Sequence, residues 1–255
     1  MARRHSVKNI PYAIDLDGAV GTFVEAGTGI YQFERTDPFS FSFWYKPRSI
    51  VSTQYLFSDT QGASPVRGIL FRVQASLIRV YLVNTFGSNE MTVNFNLTPE
   101  MLNKWMHVTI TYDGSVTAGG LKGYYNSVLE TPASTVNTLT DTIVDATNKV
   151  RWGAWGNASG SVNHTCVLTK MRVFDYELTQ AQVDELYYED KVIGTAPLTE
   201  YLATTGSGSN LVDTGSLSTD ATLNGGYTWV TNTPSKKRTA VTQARTAVTQ
   251  ARTSV

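Results

Sequence analysis

Cysteine and long apolar runs are scarce in this chain of 255 residues. Cys166 is the one cysteine, so no disulfide can form within the chain and the fold does not rely on an oxidising compartment. A lone cysteine without catalytic partners predicts a small buried side chain. No stretch approaches the roughly 20 apolar residues that a membrane helix needs. The basic first residues lead into no apolar run, so we expect no secretory signal.

Histidines and acidic clusters are also few. The three histidines, His5, His107 and His164, show no metal-ligand spacing with cysteines or acids. We predict that His107, on the polar face of a strand, is hydrogen-bonded rather than catalytic. A glycosidase needs two carboxylates flanking the scissile bond, and no predicted strand carries alternating Glu and Asp on one face. The pattern therefore predicts a protein that is not an enzyme.

A metal site is weighed as an alternative, although we predict no metal and no cofactor. Calcium takes oxygen ligands from carboxylates near loop ends. Four aspartates are expected to lie near loop ends, and they are Asp15, Asp17, Asp59 and Asp113. The last of these is better explained as the first residue of an Asp-Gly turn.

Charge is unevenly distributed although the net charge is zero. Residues 1–14 carry three basic residues and residues 221–255 carry five, with no acid in either range. These ends sum to +8, so residues 15–220 sum to −8. Basic arms on an acidic body attract either nucleic acid or the acidic body of a neighbouring copy, and we favour the protein partner. Soluble tails are the other interpretation.

Short runs of alternating apolar and polar residues dominate the chain. In Lys104–Gly114, Met106, Val108, Ile110 and Tyr112 share one face of an extended chain, which predicts a half-buried strand. The spacing of such runs, with turn residues between them, predicts an all-β sandwich. Further strands are predicted at residues 12–18, 22–24, 39–45, 55–57, 68–73, 76–83, 91–97, 121–126, 150–154, 167–174, 198–202 and 221–230.

The regions between these strands include a turn, a loop and one range that the pattern does not assign. The strands at 68–73 and 76–83 are predicted to form a hairpin with Gln74-Ala75 at its turn, and Asp59 is expected in a loop. Residues 131–149, rich in Thr, Ser and Asn, are left unassigned.

One helix is predicted over Gln180–Tyr188. Thr179 is a suitable N-cap residue, and Gln182 follows it at the spacing of a capping box. Leu178, Val183, Leu186 and Tyr187 form an apolar stripe at helical spacing. The signal indicates a single short helix against a sheet.

A seven-residue repeat follows Pro234. Residues 238–244 read Arg-Thr-Ala-Val-Thr-Gln-Ala, and residues 245–251 repeat them. A helix would place its valines and alanines along one seam, but an isolated helix of this length is marginal in water. We predict an arm that orders only against a partner, and a disordered tail is the alternative. The predicted docking residues are Arg238, Val241, Arg245, Val248, Arg252 and Val255.

Five motifs in order carry a resemblance to a known family, at residues 13–18, 41–46, 105–114, 123–126 and 171–179. Their order and spacing resemble the laminin-G-like, concanavalin A-like jelly-roll family. This resemblance implies a sandwich of two antiparallel sheets over residues 10–230, with a basic arm at 1–9 and the repeat arm at 231–255. The family often has a second acid soon after the first motif, but Ala19–Thr22 contain none. This difference makes a calcium site less expected here.

The resemblance does not fix the activity, because this fold hosts lectins, glycosidases, adhesion modules and virion proteins. We predict a non-enzymatic virion structural protein of a bacteriophage, either a capsid decoration or a tail component. It would be assembled in the host cytoplasm and dock to other virion proteins or to its own copies.

The alternative function is a carbohydrate-binding module. Sugar binding in such sandwiches uses an exposed aromatic platform with polar groups beside it. The candidate residues are Trp155, Asn157, Tyr124 and Tyr125. Three other tryptophans, Trp44, Trp105 and Trp152, are expected to help pack the two sheets together.

Overall fold

The computed structural model describes residues 11–60, 65–156, 163–231 and 233–234. Within these residues the chain forms two antiparallel sheets and one α-helix, which confirms the predicted all-β sandwich. The elements in chain order are β1 Ala13–Asp17, β2 Phe23–Thr28, β3 Phe39–Pro47, β4 Gln54–Thr60, β5 Gly68–Gln74, β6 Leu77–Thr85, β7 Asn89–Asn96, β8 Met106–Tyr112, β9 Leu121–Tyr125, β10 Val128–Leu129, β11 Ser134–Asn137, β12 Lys149–Trp152, β13 Thr165–Phe174, α1 Gln180–Tyr188, β14 Thr199–Tyr201, β15 Asn210–Leu211, β16 Ala221–Asn224 and β17 Tyr227–Val230.

The two sheets take their strands from all parts of the chain. The eight-stranded sheet runs β10-β9-β8-β3-β13-β1-β17, with β14 paired to β13. The nine-stranded sheet runs β11-β7-β6-β5-β4-β12-β2-β16-β15. Among the described residues, no helix has the length and apolar character that crossing a bilayer requires.

The turn between β16 and β17 crosses from one sheet to the other. β16 pairs with β2 in the nine-stranded sheet, whereas β17 pairs with β1 in the eight-stranded sheet. Gly225 lies at φ 72°, and a Cβ there would come 2.5 Å from the Gly21 carbonyl oxygen. Because only glycine tolerates this conformation and this approach, the range predicted as one strand over 221–230 is divided here into two strands that belong to different sheets.

Aromatic side chains join the inner faces of the sheets. Phe41 of β3 lies 4.7 Å from Phe57 and 4.9 Å from Phe71, both of which come from the opposite sheet. The fully buried Trp152 of β12 lies 5.2 Å from Phe43 and 4.8 Å from Phe57, ring centroid to ring centroid. Such pairs add about 0.5–1.5 kcal/mol each beyond the apolar area that they bury. Cys166 is buried and free, as predicted.

The helix α1 covers the outer face of the eight-stranded sheet. Thr179 caps it and forms the predicted capping box with Gln182. Val183 and Leu186 pack in a cluster with Phe174 of β13. The strand β8 is consequently buried on both faces, whereas its alternation predicts a half-buried strand. The polar face of β8 is buried because the helix covers it.

Trp44 also lies beneath the helix, and not between the sheets as predicted. Its ring stacks on Tyr187 at 5.6 Å between centroids and 29° between planes. The predicted hydrogen bond of His107 is made here, since Ser42 Oγ lies 2.9 Å from its Nε2. Of the other two tryptophans, Trp152 is in the core as predicted, while Trp105 is only partly buried.

An ion network ties the end of the helix to the sheet beneath it. Asp190, which follows the helix, lies 2.8 Å from Lys170 Nζ and 2.9 Å from Arg172 Nη2, and all three side chains are less than 10% exposed. Arg172 Nε also lies 2.8 Å from Glu200 Oε1. Burial alone would raise the pKa of Asp190, but the charges of Arg172 and Lys170 hold it below its usual value.

Three connections differ from their sequence predictions. The β5–β6 turn is Ala75-Ser76, both at positive φ, rather than Gln74-Ala75. Asp59 lies within β4 rather than in a loop. The unassigned range 131–149 supplies β11, which pairs with β7 at the edge of the nine-stranded sheet.

We expect Asp190→Asn to lower the free energy of unfolding by about 3 kcal/mol, because it leaves Lys170 and Arg172 as buried cations with no carboxylate between them. Urea denaturation followed by fluorescence measures this change. The control Asp175→Asn, at an exposed position, should change stability by less than about 0.5 kcal/mol. Equal stabilities for the two variants would contradict the role of the network.

Candidate functional site

The nine-stranded sheet carries a polar and aromatic outer surface. Ile69, Phe71 and Val73 of β5 point into the core, so the alternate residues Leu70 and Arg72 point outward. The outward residues of β4 to β7 together with one loop residue form a surface that we call the arginine face. Its partly exposed members are Arg72, Arg79 and Trp155, and its buried members are Tyr55, Tyr81 and Asn94.

Trp155 lies over this face as a fixed, half-buried ring. It stacks on Tyr55 with 5.3 Å between ring centroids and 22° between ring planes. Its indole Nε1–H donates to Thr60 Oγ1 at 2.9 Å. The indole N–H is thereby satisfied by the protein, and the ring is partly exposed. Trp155 therefore offers the partly exposed aromatic surface that the sequence predicts.

The backbone on either side of Trp155 is also held. Arg151 Nη1 donates to the Trp155 carbonyl oxygen at 3.3 Å, and Gly156 N donates to Ser58 Oγ at 3.0 Å. Arg151 is itself fixed by Glu25, with 2.8 Å between Nη2 and Oε2. These contacts place the indole before any ligand arrives, which limits the entropy lost on binding.

Two arginines also lie on this face. Arg72 of β5 stands directly opposite Arg79 of β6. Arg72 lies over the ring of Tyr81 at 4.9 Å and donates from Nη2 to the Tyr81 hydroxyl. The ion pairs formed by the described residues include neither arginine. The sequence did not predict this pair. The pattern that could have indicated it is one arginine on the polar face of each strand of the predicted hairpin.

Tyr124 and Tyr125 do not provide an exposed platform. Tyr124 is 5% exposed and packs against Phe174 and the helix α1. Tyr125 is 3% exposed and belongs to the main core. The prediction that they belong to an exposed platform is wrong, because β9 is covered by the helix on its outer face and by the second sheet on its inner face.

The remaining predicted site residues lie outside the described part of the chain. They are Asn157 beside Trp155 and the arm residues Arg238, Val241, Arg245, Val248, Arg252 and Val255. Their roles stay predictions.

Three of the four aspartates considered for calcium have partners close by. Asp15 pairs with Arg48, and the Oδ1 atom of Asp113 accepts from Ser115 N at 2.8 Å in the predicted turn. Asp17 Oδ1 accepts from Ala19 N at 2.8 Å. Over the described ranges, no three His, Cys, Asp or Glu side chains come together as a metal site would need.

The sequence profile of the Concanavalin A-like lectin/glucanases superfamily matches residues 19–184. The chain belongs to this superfamily. The match covers the sandwich from the turn after β1 to the middle of α1 and includes Trp155 and both arginines of the arginine face. A comparison with curated proteins gives no match.

Solved structures of the same fold are similar at low sequence identity. A protein of Bacteroides ovatus described as a candidate carbohydrate binder is 15% identical, with a TM-score of 0.50 over 86% of this chain and 57% of its own. The heptameric SAP-like pentraxin of Limulus polyphemus is 17% identical, with a TM-score of 0.46 over 71% of this chain and 84% of its own. The binding domain of botulinum neurotoxin DC, solved with SialylT, is 18% identical, with a TM-score of 0.44 over 66% of this chain. The present chain spans 57% of the Bacteroides protein and 39% of the toxin chain.

Asp59 is a buried carboxyl, and glucanases of this superfamily act through carboxyl groups. Asp59 is 3% exposed, and its Oδ1 atom has no hydrogen-bond partner among the described residues. Burial raises its pKa to about 8, although a hydrogen bond with Asn148 works in the opposite direction. Asp59 is therefore protonated at neutral pH, but its burial keeps it from a polysaccharide on the surface.

The buried histidines are unsuited to acid–base catalysis near neutral pH. Burial lowers the pKa of His107 to about 3, and the neighbouring Arg172 contributes to the decrease. Burial likewise lowers the pKa of His164 to about 3, and its Nε2 lies 2.5 Å from the Tyr45 hydroxyl oxygen. Both rings stay neutral in the folded protein and serve as hydrogen-bonding core residues.

The raised pKa of Asp59 predicts a pH-dependent stability difference between the protein and Asp59→Asn. Below pH 4 the carboxyl is protonated in both folded and unfolded chains, so the amide variant and the protein should be similarly stable. Above pH 4 the unfolded chain loses this proton while the folded chain keeps it up to about pH 8. The protein should therefore lose about 1.4 kcal/mol per pH unit relative to the variant across this window.

Urea denaturation of both proteins from pH 4 to pH 8 measures this difference. Asp175→Asn, at an exposed site, serves as the control for effects of the substitution itself. A constant difference for Asp59→Asn across this pH range would mean that Asp59 titrates as an ordinary carboxyl.

Proposed function

We propose that this protein is a non-enzymatic glycan-binding module that presents Trp155 and the arginine face to a sugar chain. The observation that carries the proposal is the half-buried Trp155 ring, stacked on Tyr55 and held by Thr60. An aromatic ring covers the apolar face of a sugar, while neighbouring polar groups bind its hydroxyls. Membership of a lectin and glucanase superfamily supports the proposal without deciding the ligand.

The carboxyl chemistry supports binding rather than hydrolysis. A glycosidase needs two carboxyl groups flanking the scissile bond, one of them with a raised pKa. The buried group with the raised pKa, Asp59, is on β4 and is 3% exposed. On the arginine face the residues are arginine, tyrosine, tryptophan and asparagine, and none of these described members is a carboxylate.

Trp155→Ala should weaken binding to the glycans that the protein recognises by at least about 10-fold, because stacking with a desolvated aromatic ring is lost. A glycan array identifies ligands, and titration calorimetry gives the affinities. Trp229→Ala is the matched control, since Trp229 is also partly buried and also donates its Nε1–H, to the Gly208 carbonyl at 2.9 Å.

Trp155→Phe separates stacking from folding, because phenylalanine keeps a ring over Tyr55. This variant should retain part of the affinity. If Trp155→Ala binds as tightly as the unchanged protein, the platform lies elsewhere. Measurable polysaccharide cleavage by the purified protein would contradict the non-enzymatic assignment.

We further propose that the module is a structural component of a bacteriophage particle, either a capsid decoration or a tail component, that docks through its arms. The support is the charge distribution, with +8 at the two ends and −8 over residues 15–220. A basic arm is attracted to the acidic body of a neighbouring copy, so a repeated array is a natural setting for such a chain.

Removal of residues 231–255 should leave the sandwich folded, because β17, the last of the described strands, ends at Val230. The truncated chain should lose association with its own copies or with other particle proteins. Sedimentation at low and high salt measures self-association, which salt should weaken in the full chain. Mass spectrometry of purified particles would test for many copies of the protein. Identical sedimentation of both chains, together with absence from particles, would contradict this role.

A further inference from the structure

A straight row of side chains crosses four strands of the nine-stranded sheet. Tyr55 of β4 is directly opposite Arg72 of β5, Arg72 is opposite Arg79 of β6, and Arg79 is opposite Asn94 of β7. Because neighbouring strands are about 4.8 Å apart, the row is roughly 14 Å long. Trp155 stacks on Tyr55 at one end of it. The row is therefore longer than one sugar ring and begins at the aromatic platform.

The arginine pair at the centre of the row is unfavourable for the fold. Like charges placed directly opposite each other on adjacent strands are destabilising. Neither Arg72 nor Arg79 forms an ion pair with a described carboxylate. The Arg151 guanidinium nearby differs, since Glu25 neutralises it.

Several polar atoms along the row are buried without a hydrogen-bond partner among the described residues. They include the Nε atoms of Arg72 and Arg79 and the Oδ1 atom of Asn94. An unsatisfied buried donor is costly unless a ligand or water completes it. Both arginines are only half-buried as whole residues, so part of each side chain is open to a ligand beside these buried atoms.

We propose that Arg72 and Arg79 bind an acidic group of the glycan, so that the ligand class is an oligosaccharide bearing carboxylates or sulfates. A guanidinium presents planar paired donors that match a carboxylate or a sulfate in bidentate geometry. The anion would remove the repulsion between the two arginines, and the adjoining sugar ring would lie on Trp155. This proposal rests on the proposed glycan-binding function and adds the charge of the ligand to it.

The arginine face is positively charged, whereas the body of the protein is negatively charged. Residues 15–220 carry −8 in total, whereas the six members of the arginine face carry +2. The overall field of the body repels polyanions, so an acidic glycan is held by contact with this pair and not by general attraction.

Titration calorimetry with matched probes tests the proposal. The carboxylate probe is hexagalacturonate with its fully methyl-esterified form as the neutral partner, and the sulfate probe is dextran sulfate with dextran as its partner. The protein should bind at least one acidic probe about 10-fold or more tightly than its neutral partner. The probe that shows this preference distinguishes carboxylate from sulfate recognition.

Arg72→Gln and Arg79→Gln should each weaken binding of the acidic probe by about 10-fold and weaken binding of its neutral partner much less, because only the acidic probe loses a charged contact. A double variant, Lys104→Gln with Lys191→Gln, removes two positive charges from exposed sites elsewhere and should bind as the unchanged protein does. Arg72→Lys with Arg79→Lys keeps both charges without the paired donors and should show intermediate affinity.

Stability separates a binding role from a structural one. If the arginines serve the ligand, the double variant Arg72→Gln with Arg79→Gln should be about as stable to urea as the protein, because removal of the repulsion offsets loss of the Arg72–Tyr81 contact. A loss of stability that accounts for the loss of binding would overturn the proposal. If the glutamine variant fails to fold, the affinity of the lysine variant for the acidic probe still tests it.

Two other outcomes are distinguishable. If acidic and neutral partners bind equally, the glycan-binding function stands and the acidic preference is overturned. If no glycan binds and Arg72→Gln changes sedimentation instead, the arginine face contacts an acidic protein surface, and both proposals fail.

Discussion

The packing of Trp152 between the two sheets is the constraint on which the rest of the structure depends. Its ring is fully buried, and Phe43 and Phe57 contact it from opposite sheets. Once these inner side chains are fixed, the alternation of each strand decides which residues point outward, since a slip of one residue would expose the core. Both outer faces are thus consequences of the aromatic core.

The outer faces of the two sheets differ in how their charged side chains are paired. The eight-stranded sheet is covered by α1, and the charges trapped there are paired through Asp190, Lys170 and Arg172. The described arginine face of the nine-stranded sheet keeps Arg72 and Arg79 half-exposed and without a carboxylate between them. A buried cluster of paired charges holds the helix in place. A cluster of unpaired charges that is partly exposed can bind a ligand. This difference makes the nine-stranded sheet the better candidate for binding.

The sequence predicted most strands, the helix and the sandwich, because each of these depends on local patterns. Period-two alternation indicated β8, and the capping box of Thr179 and Gln182 located α1. It could not predict that β8 is buried on both faces, since that depends on residues more than 60 positions away along the chain. Trp155 was predicted as a platform, while Tyr124 and Tyr125 failed for the same long-range reason.

The arginine pair was not predicted because the observed β5–β6 turn lies one residue further along the chain than the predicted turn. With the predicted turn at Gln74-Ala75, Arg72 would stand opposite Leu77, and Arg79 would have a different neighbour. The observed turn at Ala75-Ser76 has positive φ at both residues and is held by hydrogen bonds from Ser76 N to Ile50 O and from Ala75 N to Val51 O. This placement brings Arg72 opposite Arg79. The candidate anion site is therefore a property of strand register, which tertiary hydrogen bonds to a distant segment decide and local pattern does not.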